Sequence, residues 1–267
     1  HLISKRIIEA DTGIEAIDKA ILAFYKNGYM HNHMRMYVAS LACNVAQSHW
    51  YFPAKWMYFH LLDADWASNA LSWQWVAGAN SQKKYYANQD NINKYCFTQQ
   101  KETYLDKSYG ALADSDIPDS LLETVDLVLQ TSLPAKRHIR VDESLPTLLY
   151  NFYNLDPAWK KHIKANRILL LEPSHFKQYP VSKNSIDFVL KLTENIDHIQ
   201  VYIGEFKELT KDYNLKNLIF KEHPLNRHYQ GEAEDRDWMF SVQGYYPSFF
   251  RFWKQCKKEL LPIGMVS

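Results

Sequence analysis

Asp63-Ala-Asp-Trp-Ala-Ser-Asn-Ala-Leu-Ser-Trp-Gln-Trp75 decides the reading of this chain, together with Gly28-Tyr-Met-His-Asn-His-Met-Arg-Met36 upstream of it. Both run at helical spacing, yet each puts polar groups and large rings where a plain core helix carries Leu and Val. Asp65, Asn69 and Trp73 fall at i, i+4 and i+8, one stripe of a helix. A carboxylate, an amide and an indole make a poor core stripe, because buried polar groups need partners. They make an odd solvent stripe too, because of the tryptophan. A bound heteroaromatic with donors and acceptors along its edge would satisfy all three; a capping aspartate beside an exposed asparagine is the plainer alternative. Asn32, Arg35 and Met36 share a face in the same way and suit a polar, planar ligand or a solvated surface. Asp63, at the start of the later helix, is favoured by the helix dipole and is placed to pair with Arg35.

Outward from these segments, the first part of the chain reads as helical. Thr12-Gly-Ile-Glu15 fits a capping box. Ile14, Ile17, Ile21 and Leu22 follow at helical spacing, and Gly28 breaks that helix. The expected continuation is a helix from Met30 to Ser48, one starting at Pro53 and running through Trp56, Phe59, His60 and Leu61, and one from Asp65 to Ala77. Trp50, Trp56, Trp66, Trp73 and Trp75 cluster along this stretch, a pattern that packing alone also produces. Residues 80–130 begin polar and then carry short helical stretches such as Asp119 to Gln130. Pro134, Pro146 and Pro157 punctuate a linker.

The second part changes character. Arg167-Ile-Leu-Leu-Leu-Glu172, Ile199-Gln-Val-Tyr-Ile203 and Asn217-Leu-Ile-Phe220 read as buried strands, with an amphipathic helix from Ser185 to Glu194 between the first two and a closing helix from Phe249 to Leu261. Strands alternating with helices predict a small α/β unit with a short parallel sheet. The expected division is a helical region over residues 1–150, with the linker, and an α/β region over 151–267. Ligands of open α/β sheets bind beyond the carboxyl ends of the strands. Glu172, His175, Glu205, Glu222 and His223 gather at those ends, with Arg227 and His228 behind them. They suit a second small-molecule, nucleotide or metal site, or a set of turn residues held in loop hydrogen bonds.

Composition narrows the classes. The 267 residues carry 31 basic and 30 acidic side chains, so any nucleic-acid binding depends on a local patch. Aromatic residues make up 15%, which suits either a ring-rich core or a site for flat ligands. Cys43, Cys96 and Cys256 are scattered, with no spacing for zinc or an iron–sulfur cluster, and predict a reducing, cytoplasmic setting. No apolar run approaches the ~20 residues of a membrane span. The first residue is His1, not Met, which fits a fragment or an expression remnant equally.

Thr12 to Asp18, Gly28 to Met36 and Asp63 to Trp75 resemble, in order and spacing, the C-terminal part of the FAD-binding helical domain of the photolyase/cryptochrome family. The resemblance spans roughly residues 11–80. It implies FAD as cofactor and roles for individual residues. Arg35 and Asp63 would form the salt bridge beside the flavin, and Asp65 with Asp63 would meet the ring edge, ribose or adenine. Asn69 would face flavin N5. Trp73 would be the proximal electron donor and Trp50 the second. Asn32, His33, Met36 and Trp75 would line the mouth where a flipped pyrimidine dimer of damaged DNA enters. The implied activity is that of a deoxyribodipyrimidine photolyase, a carbon–carbon lyase driven by light.

The departures matter as much. Only ten residues precede Asp11, where the family carries phosphate-binding hydroxyls and the distal tryptophan. Completing the FAD site therefore calls for an upstream domain or a second subunit. His33 stands where photolyases often have Arg, and the family's α/β domain is N-terminal rather than C-terminal. Two further readings stay open: a cryptochrome-like flavin photoreceptor or redox sensor without repair, and a scaffold that keeps the helices without flavin.

Overall fold

The computed structural model describes residues 2–80 and 83–260. The expected end of the closing helix at Leu261, and residues 81 and 82 of the polar stretch, lie outside them. The helical part opens with a short strand β1 (Leu2–Ser4), then α1 (Lys5–Ile8), α2 (Glu15–Asn27) and α3 (Asn32–Ser40). The last continues directly into a π-helical turn at Leu41–Val45. Next come α4 (Tyr51–His60), α5 (Trp66–Val76), α6 (Gln89–Cys96) and α7 (Tyr109–Ala113).

On α2 the buried positions are Ala16, Ile17, Ile21 and Phe24, one face at helical spacing. Leu22, expected on that face, is 58% exposed, because the turn from Ile21 carries it round to solvent. The expected capping box is not formed either. Ile14 occupies the cap position with no side-chain cap bond. Asp18 takes that role from inside the helix: its carboxylate accepts from the backbone N–H groups of Thr12 and Gly13 and from the Thr12 hydroxyl.

A short 3-10 turn (Asp119–Leu121) leads to β2 (Thr124–Asp126), which pairs antiparallel with β1. A strand thus stands within the stretch expected to be helical from Asp119. Its partner is the distant Leu2–Ser4, a pairing that no local periodicity signals.

The α/β part runs β3 (Pro146–Tyr150), β4 (Asn166–Leu171), α8 (Pro173–Gln178), α9 (Lys183–Thr193), β5 (Ile199–Ile203), α10 (Phe206–Asp212), β6 (Lys216–Lys221), β7 (Glu232–Glu234) and α11 (Phe249–Leu260). Its strands form a parallel sheet in the order β5-β4-β3-β6-β7. β4 is buried along its whole length, as a parallel strand covered on both faces must be. Side chains alternate between two cores. Leu148, Tyr150, Leu169 and Leu171 join Phe176 of α8 and Ile186 and Val189 of α9 on one face. Leu149, Ile168 and Leu170 join Phe206 and Leu209 of α10 on the other.

The sequence reading had three strands here. The two it lacked are the middle strand β3, which opens at Pro146 in the expected linker, and β7, a charged edge strand with no apolar run. Proline is tolerated at the first residue of a strand, where its missing N–H interrupts no ladder. The helical part is joined to this sheet. Tyr58 of α4 is buried in the first sheet core, its hydroxyl lies 2.7 Å from that of Tyr153, and Ser182 N–H donates to Phe59 O.

Candidate functional site

The loop that ends α2 and the loop that ends α4 meet. Gly28 caps α2 in the left-handed conformation, and its carbonyl accepts from Leu62 N–H at 2.9 Å. This contact brings Asp63 beside α3. Arg35 Nη2 donates to both carboxylate oxygens of Asp63 at 3.0 Å, and Arg35 Nε donates to Met30 O at 2.7 Å. The guanidinium also lies over the Tyr29 ring, 5.8 Å from its centroid. One side chain therefore ties the turn after α2, the start of α3 and the turn before α5 into a single unit.

On α5, Asp65 is the N-cap and accepts from Ser68 N–H at 2.8 Å. Asn69 is half-buried and donates from Nδ2 to Ala54 O of α4 at 2.8 Å. Trp73 is 2% exposed, within the helical core. The polar stripe is thus partly satisfied by protein groups, a partner across to α4 that helix spacing alone could not show. Asn69 Oδ1 takes no hydrogen bond among the described residues and remains an acceptor. Trp50 sits half-buried at the head of α4, with His49 and Tyr51 rings 5.7 Å away on either side.

Asn32 stands exposed at the start of α3, and Met36 packs on the helical core. His33 packs its ring on Tyr37 and Tyr95, at 4.6 and 4.8 Å. Trp75, 47% exposed, lies 5.6 Å from Tyr85. Burial raises the Tyr37 hydroxyl pKa, helped by Tyr85 and Tyr95, so these rings form one neighbourhood. α3 and α5 pack together, which places His33, Met36 and Trp75 on neighbouring helices.

Asn44 was not anticipated. It lies in the π-helical turn, an element that often marks functional sites. Its Nδ2 donates to Val76 O and Tyr85 O, fixing the end of α5 that carries Trp73 and Trp75. An Asn inside an apolar run, Leu41-Ala-Cys-Asn-Val45, is the one signal that could have found it.

Residues 4–109 match the FAD binding domain of DNA photolyase. This part of the chain is similar to the flavin-binding domain of the photolyase/cryptochrome family. The match gives FAD as the cofactor of the photolyase-like part. Among similar proteins, a deoxyribodipyrimidine photo-lyase of Agrobacterium fabrum is 41% identical over 70 residues, covering 26% of this chain and 15% of that protein. Cryptochrome-1 of Arabidopsis thaliana is 31% identical over 80 residues, covering 30% of this chain and 12% of the relative. A putative mitochondrial cryptochrome DASH of Neurospora crassa is 32% identical over 170 residues, covering 63% of this chain and 21% of the relative. The chain therefore matches only a small part of the length of these relatives. No solved structure matches it.

The chemistry of the photolyase-like residues fits a flavin. An ion pair, an amide oxygen without a partner among the described residues, and indoles on the adjoining helices are the groups that a ring with polar edges and an apolar face needs.

In the α/β part, the residues expected beyond the strand ends divide. Glu172 is 6% exposed; its oxygens accept from Phe206 N–H and the Tyr229 hydroxyl and meet His228 Nε2 at 2.9 and 3.1 Å. Glu205 accepts from the Ser174 N–H and hydroxyl, and Glu222 from Arg236 Nε. Those carboxylates hold loops together. His175 and His223 line a common cavity, whose wall Glu172 also joins. Arg227 is exposed. Among the described residues no group of His, Cys, Asp or Glu is placed to hold a metal ion. Among them, too, no helix is long and apolar enough to cross a membrane.

Proposed function

We propose that this chain is part of a photolyase-type flavoprotein that repairs pyrimidine dimers in damaged DNA. The observation that carries the reading is the Arg35–Asp63 ion pair, together with Asn69 on the following helix, whose Oδ1 takes no hydrogen bond among the described residues, all within the segment matched to the FAD binding domain. When bound and reduced, FAD supplies an electron on absorbing blue light. The protein's part is to hold and tune. Arg35 and Asp63 form a polar ridge at the ring edge, with Asp65 at the next turn. Asn69 offers its Oδ1 to an N–H at the flavin N5 position. Trp73, shielded from water, and Trp50 form the route by which the cofactor is re-reduced. Asn32, His33, Met36 and Trp75 take up the flipped lesion between rings.

A missing upstream domain or a second subunit completes the cofactor cradle in this reading. The division into a helical region and an α/β region near residue 150 belongs to the same proposal, with β3 counted in the sheet. His33 favours a second reading. Its ring is engaged by Tyr37 and Tyr95 rather than extended to a phosphate, which suits a photoreceptor without repair.

The visible absorption spectrum of the purified protein, alone and after adding FAD, is the first test; flavin bands are expected. Blue-light loss of dimers from irradiated DNA then separates the readings. Repair predicts the loss, and a photoreceptor predicts flavin photoreduction without it. No bands, even with any upstream coding sequence restored, would overturn both and leave a flavin-free scaffold.

A further inference from the structure

The sheet order β5-β4-β3-β6-β7 places the reversal of strand order between β3 and β6. Crevices at such switch points, outside the carboxyl ends of the strands, are where open α/β sheets take ligands. Here the crevice is real and is built by the two segments that leave those strands. Asn151, Tyr153 and Asn154 follow β3; Glu222 and His223 follow β6. Two adjoining cavities of about 20 and 70 Å³, both open to solvent, share Asn151, Tyr153 and His223 as walls.

Two observations point to a ligand. The first is hydrogen bonding. Among the described residues, four buried side-chain polar atoms lack a partner: Ser4 Oγ, Asn44 Oδ1, Asn154 Nδ2 and His175 Nε2. Two of the four belong to this crevice, His175 lining one cavity and Asn154 the other. A buried donor without a partner is costly, and native proteins carry few of them. The second is shape. His223 and Tyr153 stack at 4.4 Å and 9°, a flat wall shared by the two cavities. Stacked rings offer a plane to a further ring.

Charge defines the ligand class. Lys221 pairs with Asp237 and Glu234, and Arg236 pairs with Glu222. Every one of these charges has its counter-charge, so nothing is left over to hold a phosphate or a carboxylate. Glu172, on the wall of the first cavity, is fully engaged. The amide N–H of Asn154 requires an acceptor, and a neutral imidazole nitrogen takes either role by choice of tautomer.

We propose that this crevice binds a neutral planar heterocycle bearing a ring carbonyl, of the nucleobase or nucleoside class. The ring lies against the Tyr153–His223 wall with its carbonyl oxygen on Asn154 Nδ2, and a second polar group of the ligand reaches His175 Nε2 in the adjoining cavity. The lining residues follow β3, β6 and β4 and none is a flavin candidate, although the Asp65 carboxylate is near enough to act on Tyr153 and His223; the proposal is argued from these cavities and does not rest on the flavin reading.

The test uses the whole chain with uridine and inosine at about 1 mM, and inorganic phosphate as the control, read by saturation-transfer NMR and thermal melting. The expected result is saturation transfer to at least one nucleoside with a rise in melting temperature, and no effect of phosphate. Asn154→Leu should weaken binding about tenfold or more while the free protein melts no lower, because a buried unpaired donor has been removed. His175→Phe, should Asn154→Leu fail to fold, should behave alike. No transfer from either nucleoside, the result expected if ordered water fills both positions, would overturn the proposal. So would stabilisation by phosphate alone, or binding unchanged in both variants.

Discussion

Asn69 shows how one side chain can serve packing and chemistry at once. Its Nδ2 fastens α5 to α4 through Ala54 O, while Oδ1 takes no hydrogen bond among the described residues. Asn69→Leu should cost about 1 kcal/mol in a urea melt, the value of one hydrogen bond. It should also alter the flavin spectrum on photoreduction; an unchanged spectrum would remove Asn69 from the N5 position. Two histidines make a prediction of another kind. Burial lowers His60 and His175 to about 4, against an ordinary 6.5, with His223 and His228 adding to the effect at His175. Both are then neutral in the fold while the unfolded chain protonates them. Their contribution is complete above pH 6.5 and is lost as pH falls towards 4. Unfolding free energies from urea melts at pH 7 and pH 5 should differ by on the order of 4 kcal/mol, about 2 for each histidine, the lower value at pH 5. At this scale the sequence was only half legible. Helix spacing revealed that Asp65, Asn69 and Trp73 share a stripe, because that is local. It could not reveal Ala54 O, supplied by another helix, nor that Asp18 rather than Glu15 closes the start of α2. Tyr153 and Asn154 gave no signal at all, lying in a stretch that Pro157 made resemble a linker.

Among elements, the turn between α2 and α3 controls the site's geometry. Gly28 has φ of 68°, and an added Cβ would lie 2.5 Å from Leu62 Cγ and 3.2 Å from His60 O. Gly28→Ala should therefore cost about 2 kcal/mol or more from backbone strain and crowding. The more telling readout is flavin affinity, since the displaced Leu62 loop carries Asp63 away from Arg35. The π-helical turn acts on the opposite end of α5. Asn44→Ala would leave two carbonyls, Val76 O and Tyr85 O, without their donor, at a cost of about 1–3 kcal/mol by denaturant melting. The long helices were readable because their apolar faces repeat every few residues. β4, β5 and β6 were readable as apolar runs. β7 and β2 were not, since three-residue strands at an edge are made by their partners rather than by their own composition.

For the whole molecule, the helical part and the sheet are one packed body rather than beads on a linker. Tyr58 belongs to a helix by sequence and to the sheet by burial, and its hydroxyl meets Tyr153. One calorimetric transition is expected for the full chain. Tyr58→Phe should lower its midpoint through loss of about 1 kcal/mol and leave the transition single. Two resolved transitions in the unmodified protein would show that the parts unfold separately.

The pairing of β1 with β2 has a consequence for how this chain is made. Lys5 N–H donates to Glu123 O at 2.8 Å, and its ammonium meets the Glu123 carboxylate across a separation of 118 residues. A ribosome adding about 5–20 residues each second exposes Leu2–Ser4 for roughly 6–24 s before its partner strand emerges. During that wait the strand's backbone is unpaired and Ile3 and Ile7, later wholly buried, face water. The helices between must therefore hold together without their clasp, and the segment from Leu2 to Ile8 is the stretch most open to chaperone capture.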